Sequence, residues 1–163
     1  MKQLPINIKL DNIDRRILEI LQLNAKITNA QLAKEIFLSP APTLERVKKL
    51  ENSGIIKSYH ASLDKEKIGL GVSTFVMVTL KGHNKINIDF FTNAIDEISE
   101  VIECHHITGT SDFMLKIISY DIAAYQRLML EKISEIEVVD GLQSIVILST
   151  FKEIKVIPLG DDE

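Results

Sequence analysis

A chain of 163 residues is long enough for one ordinary domain or two small ones. Its 45% hydrophobic and 26% charged residues, with only 7 Gly and 4 Pro, exclude disordered, collagen-like and coiled-coil classes, and the single cysteine, Cys104, excludes an intrachain disulfide or a multi-cysteine zinc site. The net charge of −4 conceals opposite halves, because residues 1–63 carry 10 Lys and Arg against 6 Asp and Glu whereas residues 64–163 carry 9 against 17. That asymmetry suggests a module facing DNA joined to something else.

Asp11 is a good N-cap for a first helix, and Asp14 three residues later resembles a capping box. Ile13, Ile17, Ile20 and Leu21, with Leu18, then recur at helical spacing, and the helix is expected to stop near Asn24. Thr28 or Asn29 caps a short second helix with Ala30, Leu32, Ala33 and Ile36 on its apolar side. Only Phe37 and Leu38 separate it from the next start signal, so the two helices must cross sharply.

Ser39 is the N-cap of a third helix, with Pro40 and Pro42 in a first turn where a missing N–H costs nothing. Leu44, Val47 and Leu50 are expected to face inward, leaving Ala41, Thr43, Arg46, Lys48 and Lys49 more exposed, and Gly54 ends the helix. Ile55 to Leu63 reads as an extended segment or wing. A helix presented N-terminus first to the major groove offers N–H groups to phosphates and short side chains to base edges. Ser39, Ala41, Pro42, Thr43 and Arg46 are therefore the groove candidates, and Lys48, Lys49 and Lys57 the backbone contacts.

Near residues 64–71 the apolar period changes from about 3.6 to 2, which marks a boundary between a domain of residues 1–63 and one of 64–163. The second reads as strand Val72–Leu80, helix Ile88–Ile98, strand Val101–Ile107, strand Phe113–Ser119, helix Ile122–Ile133 and, after an Asp140-Gly141 turn, strand Leu142–Phe151. Asp161 to Glu163 reads as a solvated tail. The expected fold class is α+β: a helix-turn-helix domain followed by a ferredoxin-like βαββαβ domain with an antiparallel sheet. Its strands are apolar on both sides, as in Phe75 and Met77 alternating with Val76 and Val78. A partner subunit is the simplest cover for the face that helices leave open.

Leu10-Asp11-x-x-Asp14-Arg15, Ile27-Thr28-Asn29-x-x-Leu32-Ala33 and the run from Leu38 to Glu51 resemble the DNA-binding half of the Lrp/AsnC (feast/famine) transcriptional regulators. The run from Glu103 to Lys116 resembles the signature of their C-terminal effector domain. The resemblance covers nearly the whole chain and lies nearest the leucine-responsive branch. It implies a sequence-specific DNA-binding regulator that dimerises through its sheet, assembles further into octamers, and binds a small effector, commonly an amino acid, between dimers. The implied effector residues are the loop Thr108, Gly109, Thr110, Ser111 and Asp112, with Asp112 pairing an ammonium, and the apolar Ile122, Ile145 and Ile147. The chain departs from the family pattern at Phe37, a position often held by glycine, at Thr110, often acidic, and at Glu137-Val138-Val139, often Pro-Gly-Val.

Read without the resemblance, the Gly-Thr-Ser-Asp run is an ordinary hairpin turn. Cys104 and His106 share one face of a strand and His105 the other, which favours strand packing over a metal site. No cofactor motif is visible. The alternatives are a nucleoid-organising protein that coats DNA without specificity and a sirohaem decarboxylase-like enzyme, for which Arg127 is the one arginine after residue 63. No apolar run approaches the roughly 18 residues that span a bilayer, and Met1 to Pro5 lack a signal-peptide pattern, so a cytoplasmic protein is expected, and with no convincing nucleophile–base arrangement visible a non-enzymatic one.

Overall fold

The computed structural model describes residues 9–154 and 156–160. The chain forms two compact units, Met1–Ser62 with Lys152–Glu163, and Leu63–Phe151. The expected tail Asp161 to Glu163 lies outside the described residues.

In the N-terminal unit, α1 (Asn12–Leu23), α2 (Asn29–Glu35) and α3 (Pro40–Asn52) each begin where local chemistry puts them. The Asp11 carboxylate accepts the Asp14 N–H at 2.8 Å, and Thr28 forms a reciprocal capping box with Gln31. Asp14 does not complete a box at α1, because its side chain points inward to basic residues of α3. Ser39 is the α3 N-cap through its extended backbone, and its hydroxyl makes no capping bond. Asn29 ties α2 to α3 by donating to the Pro40 carbonyl at 2.8 Å. Ile17, Leu18, Leu32, Ile36 and Leu50 form the core of this unit. Phe37 takes φ 57° in the turn between α2 and α3, a conformation that costs an L side chain about 1–2 kcal/mol, and its ring is 93% exposed.

The inward face of α3 differs from expectation. Thr43 is fully buried and Leu44 is 43% exposed. Val47 and Leu50 fix the rotation of the helix, and Thr43, four and seven residues before them, falls on the same stripe while Leu44 turns away. Burial is possible at Thr43 because its hydroxyl donates to the Ser39 carbonyl at 2.9 Å.

Residues 152–154 and 156–160, expected in the second domain, cluster with this unit. Gln22 of α1 holds the backbone of Ile157, accepting its N–H at 2.6 Å and donating to its carbonyl at 3.2 Å. Arg15 donates to the Gly160 carbonyl, and Leu159 packs on the core. The expected wing from Ile55 to Leu63 enters no ladder.

In the second unit, β1 (Val72–Leu80), α4 (Lys85–Asp96), β2 (Val101–His106), β3 (Phe113–Ser119), α5 (Ile122–Leu128) and β4 (Val139–Val146) follow the βαββαβ order. Asn84 caps α4 so that it begins at Lys85, three residues before the expected start, and a π-helical turn, Met129–Ile133, closes α5. The sheet runs β2-β3-β1-β4 with every pair antiparallel. Val76, Val78, Leu115 and Ile117 face the helices and pack with Phe91, Ile95, Leu128 and Ile133. Asp140-Gly141 is not a turn, since β4 passes through both residues with a bulge opposite Thr79 and Leu80. The strand also stops short of Phe151. β1 begins at Val72, so beyond the Ile147 N–H bond to the Ser73 carbonyl only Val72 is left opposite Leu148, and nothing remains for residues 149–151 to pair with.

Candidate nucleic-acid interface and effector site

The exposed part of α3 differs from the set proposed for the groove. Ser39 and Ala41 are exposed at its start, Pro42 is half-buried, and Lys48 and Lys49 are exposed further along, as is Lys57 beyond it. Thr43, turned into the core, is removed from the outward set. Arg46 is committed within the chain: its guanidinium lies 2.7 Å from a carboxylate oxygen of Asp14 and 2.6 Å from one of Asp11. Lys49 approaches the other Asp14 oxygen at 3.4 Å. Burial pushes the Asp11 carboxyl up, but the Asp14 N–H and the Arg46 guanidinium outweigh it and hold it below the ordinary aspartate value. The signal for this cluster was Asp14 itself, an acid on the same helical stripe as Ile17 and Leu18, which needs a buried cation or a cap. At the end of α3 the Tyr59 hydroxyl donates to Glu51 at 2.9 Å, and burial together with that carboxylate pushes it up to about 12.

The β2–β3 loop carries Thr108, Gly109 and Thr110 in the open, with Gly109 at φ 125°, a backbone only glycine adopts without strain. Asp112, at the foot of β3, is buried. One of its oxygens accepts the Leu80 N–H at 2.7 Å, the other lies 2.6 Å from His83 Nδ1, and its own N–H donates to the Val78 carbonyl at 2.8 Å. The carboxylate expected to hold a ligand ammonium therefore fastens the loop to the end of β1. Replacing Asp112 by alanine should orphan the Leu80 N–H and cost about 1–3 kcal/mol. Urea unfolding without ligand checks this, and an unchanged midpoint would return the carboxylate to ligand duty.

The apolar residues expected beside this loop lie elsewhere. Ile122 opens α5 just after β3 ends, and Ile145 pairs with Phe75 near the start of β1. β3 is 7 residues long, which at 3.3 Å per residue separates the loop from that end by about 20 Å. Ile122, Ile145 and Ile147 are thus at one end of the sheet and Thr108 to Asp112 at the other, so one copy of the chain does not assemble them around one ligand.

The sheet face without helices presents Phe75, Met77, Met114, Ile118 and Ile145, with Lys116 and Glu103 paired at 2.9 Å beside them. The Lys116 ammonium, then His105, holds the Glu103 carboxyl below its ordinary value. Cys104 and His106 lie opposite Leu115 and Phe113 on the helix side, and His105 opposite Met114 on the open side. Among the described residues no group of three or more His, Cys, Asp or Glu could hold a metal, and no helix is long and apolar enough to cross a membrane.

Comparison with known proteins finds two successive domains in the chain. Residues 10–57 match the model of a winged helix-turn-helix DNA-binding domain and residues 73–157 that of the Lrp/AsnC ligand binding domain. The chain is 33% identical over 156 residues to the transcriptional regulator AzlB of Bacillus subtilis, covering 96% of this chain and 99% of that one. It is 35% identical over 144 residues to the leucine-responsive regulatory protein of Escherichia coli K12, 88% of each chain. Among solved structures, a transcriptional regulator of Neisseria meningitidis in complex with L-Met superposes with a TM-score of 0.88 at 32% identity, covering 92% of this chain and 97% of that one. Escherichia coli AsnC does so at 0.81 and 28%, covering 89% and 96%.

Proposed function

The chain belongs to the Lrp/AsnC family of transcriptional regulators, and from that premise we propose that it binds operator DNA as a homo-oligomer whose assembly or affinity responds to an amino acid. The division of the effector residues between two ends of the sheet carries this reading. A ligand that needs both the loop Thr108 to Ser111 and the apolar Ile122, Ile145 and Ile147 must sit between copies. Loop N–H groups and hydroxyls suit its carboxylate, and the isoleucines suit an aliphatic side chain. Asp112 shapes the loop from within. The crystallised relative that carries L-Met supports an amino acid as the ligand class.

The dimer forms through the open sheet face, where Phe75, Met77 and Met114 would otherwise remain wet. Further association to an octamer creates the ligand junction. Control then follows from linkage: an amino acid that prefers one assembly changes the spacing of the paired reading heads and hence the DNA they span together.

Duplex binding at fixed salt over a set of promoter fragments, repeated with each amino acid and paired with light scattering, tests this. The expected result is selective binding to some fragments, shifted in affinity or assembly by an aliphatic amino acid. Equal affinity for every fragment would leave a DNA-coating protein instead, and selective binding indifferent to all amino acids would remove the effector.

A further inference from the structure

The first turns of α3 leave two apolar side chains exposed. At 100° per residue, Ala41, Glu45 and Lys48 lie opposite Thr43, Val47 and Leu50, and Leu44 lies on the flank beside Ala41 and Lys48. Ala41 and Leu44 are one turn apart at the N-terminal end of the helix, both exposed. The one arginine of α3 that suits a guanine edge is held by Asp11 and Asp14, and the one hydroxyl inside the helix is buried on Ser39. A second, independent observation lies in the preceding turn. Phe37 is almost fully exposed in a left-handed conformation that an aromatic residue avoids, although glycine would take it freely. A strained backbone kept for a ring with no place in the core points to something outside that the ring touches.

In the major groove the partner for such a surface is the thymine 5-methyl group, the one apolar feature that base edges present there. We infer that this reading head selects its sites by apolar contact with thymine methyl groups through Ala41 and Leu44, with Phe37 packing at the edge of the same site. The inference rests on the DNA-binding reading above and specifies what that face recognises. The excess of basic residues in 1–63 fits a polyanion and disfavours a hydrophobic protein partner for this patch. Lys48, next on the face, reaches phosphate or guanine, and Glu45 suits a cytosine amino group.

The test uses the full chain and a duplex selected by it from a random pool. Each thymine is replaced in turn by deoxyuridine, which removes the methyl group and leaves every hydrogen bond intact. At one or more positions the dissociation constant should rise about 3–5-fold, the equivalent of one buried methyl. In Leu44→Ala, whose side chain supports no core, that sensitivity should vanish at the position it reads while the salt dependence of binding stays as it was. Phe37→Gly should raise the melting temperature yet weaken DNA binding, opposite signs that a merely structural residue would not give. A tight, sequence-selective complex indifferent to every thymine methyl would overturn this inference and leave the regulator reading standing. Failure to select any duplex would overturn both, and methyl sensitivity unchanged at every position in Leu44→Ala would remove the assignment to that face.

Discussion

An Asp14→Ala variant should lose about 3 kcal/mol of stability in its N-terminal unit, a large part of what a unit of this size possesses. Asp14 is fully buried, and its two oxygens bond Arg46 at 2.7 Å and Lys49 at 3.4 Å across the α1–α3 contact. Removing it strands cations that were positioned to face it. The cost falls at the low end for a broken buried pair because Arg46 keeps Asp11 and is 28% exposed. Urea unfolding followed by far-UV dichroism measures it, and a change under 0.5 kcal/mol would show the cluster to be incidental. The double variant Asp14→Leu with Arg46→Met should recover most of the loss, since an apolar pair asks for no desolvation of charge. The same cluster sets the sign of an acid effect. The Asp11 carboxyl is depressed in the folded state, so its contribution is present above the unfolded value of 3.8 and is lost as pH falls through the lower folded one. Half-exposed, Asp11 makes only a modest part of the acid lability of this unit.

The second large effect is on assembly. Met77→Glu should reduce the mass in solution to that of one chain and weaken binding to a duplex with two half-sites by about 100-fold, the lower range of what linking two binding heads contributes. Met77 lies mid-face, paired with Met114 on β3 and Gln143 on β4. A carboxylate there would be desolvated against a second copy, at a cost of several kcal/mol. Within one chain this face is not the core, which is Val76, Val78, Leu115 and Ile117 on the other side, so the fold itself should survive. Met77→Leu should keep both mass and affinity. If the Met77→Glu protein keeps the mass of the unsubstituted protein at micromolar concentration, the interface lies elsewhere.

Local chemistry made much of this legible in advance. Asp11 and Thr28 start their helices because a cap acts over three or four residues, and the prolines after Ser39 suit the first turn of α3. β1 and β3 run from Val72 to Leu80 and from Phe113 to Ser119 as their alternation implies. The departures have a common origin in partners distant along the chain. Which of Thr43 and Leu44 faces inward depends on how α3 lies against α1. Arg46 serves Asp14, 32 residues away, and Gln22 holds Ile157, 135 residues away. The end of β4 depends on where β1 begins.

The order of elements, the helix starts, the two-faced strands and the family signature were determined by residues within a few positions of one another, where capping and periodicity act. Tertiary structure alone decided that Arg46 and Asp112 are tied down, that Ala41 and Leu44 are left exposed on α3, and that the residues implied for an effector occupy opposite ends of the sheet. Those outcomes are set by which charges, hydroxyls and strands meet after long stretches of chain have folded back, and no local pattern encodes that meeting.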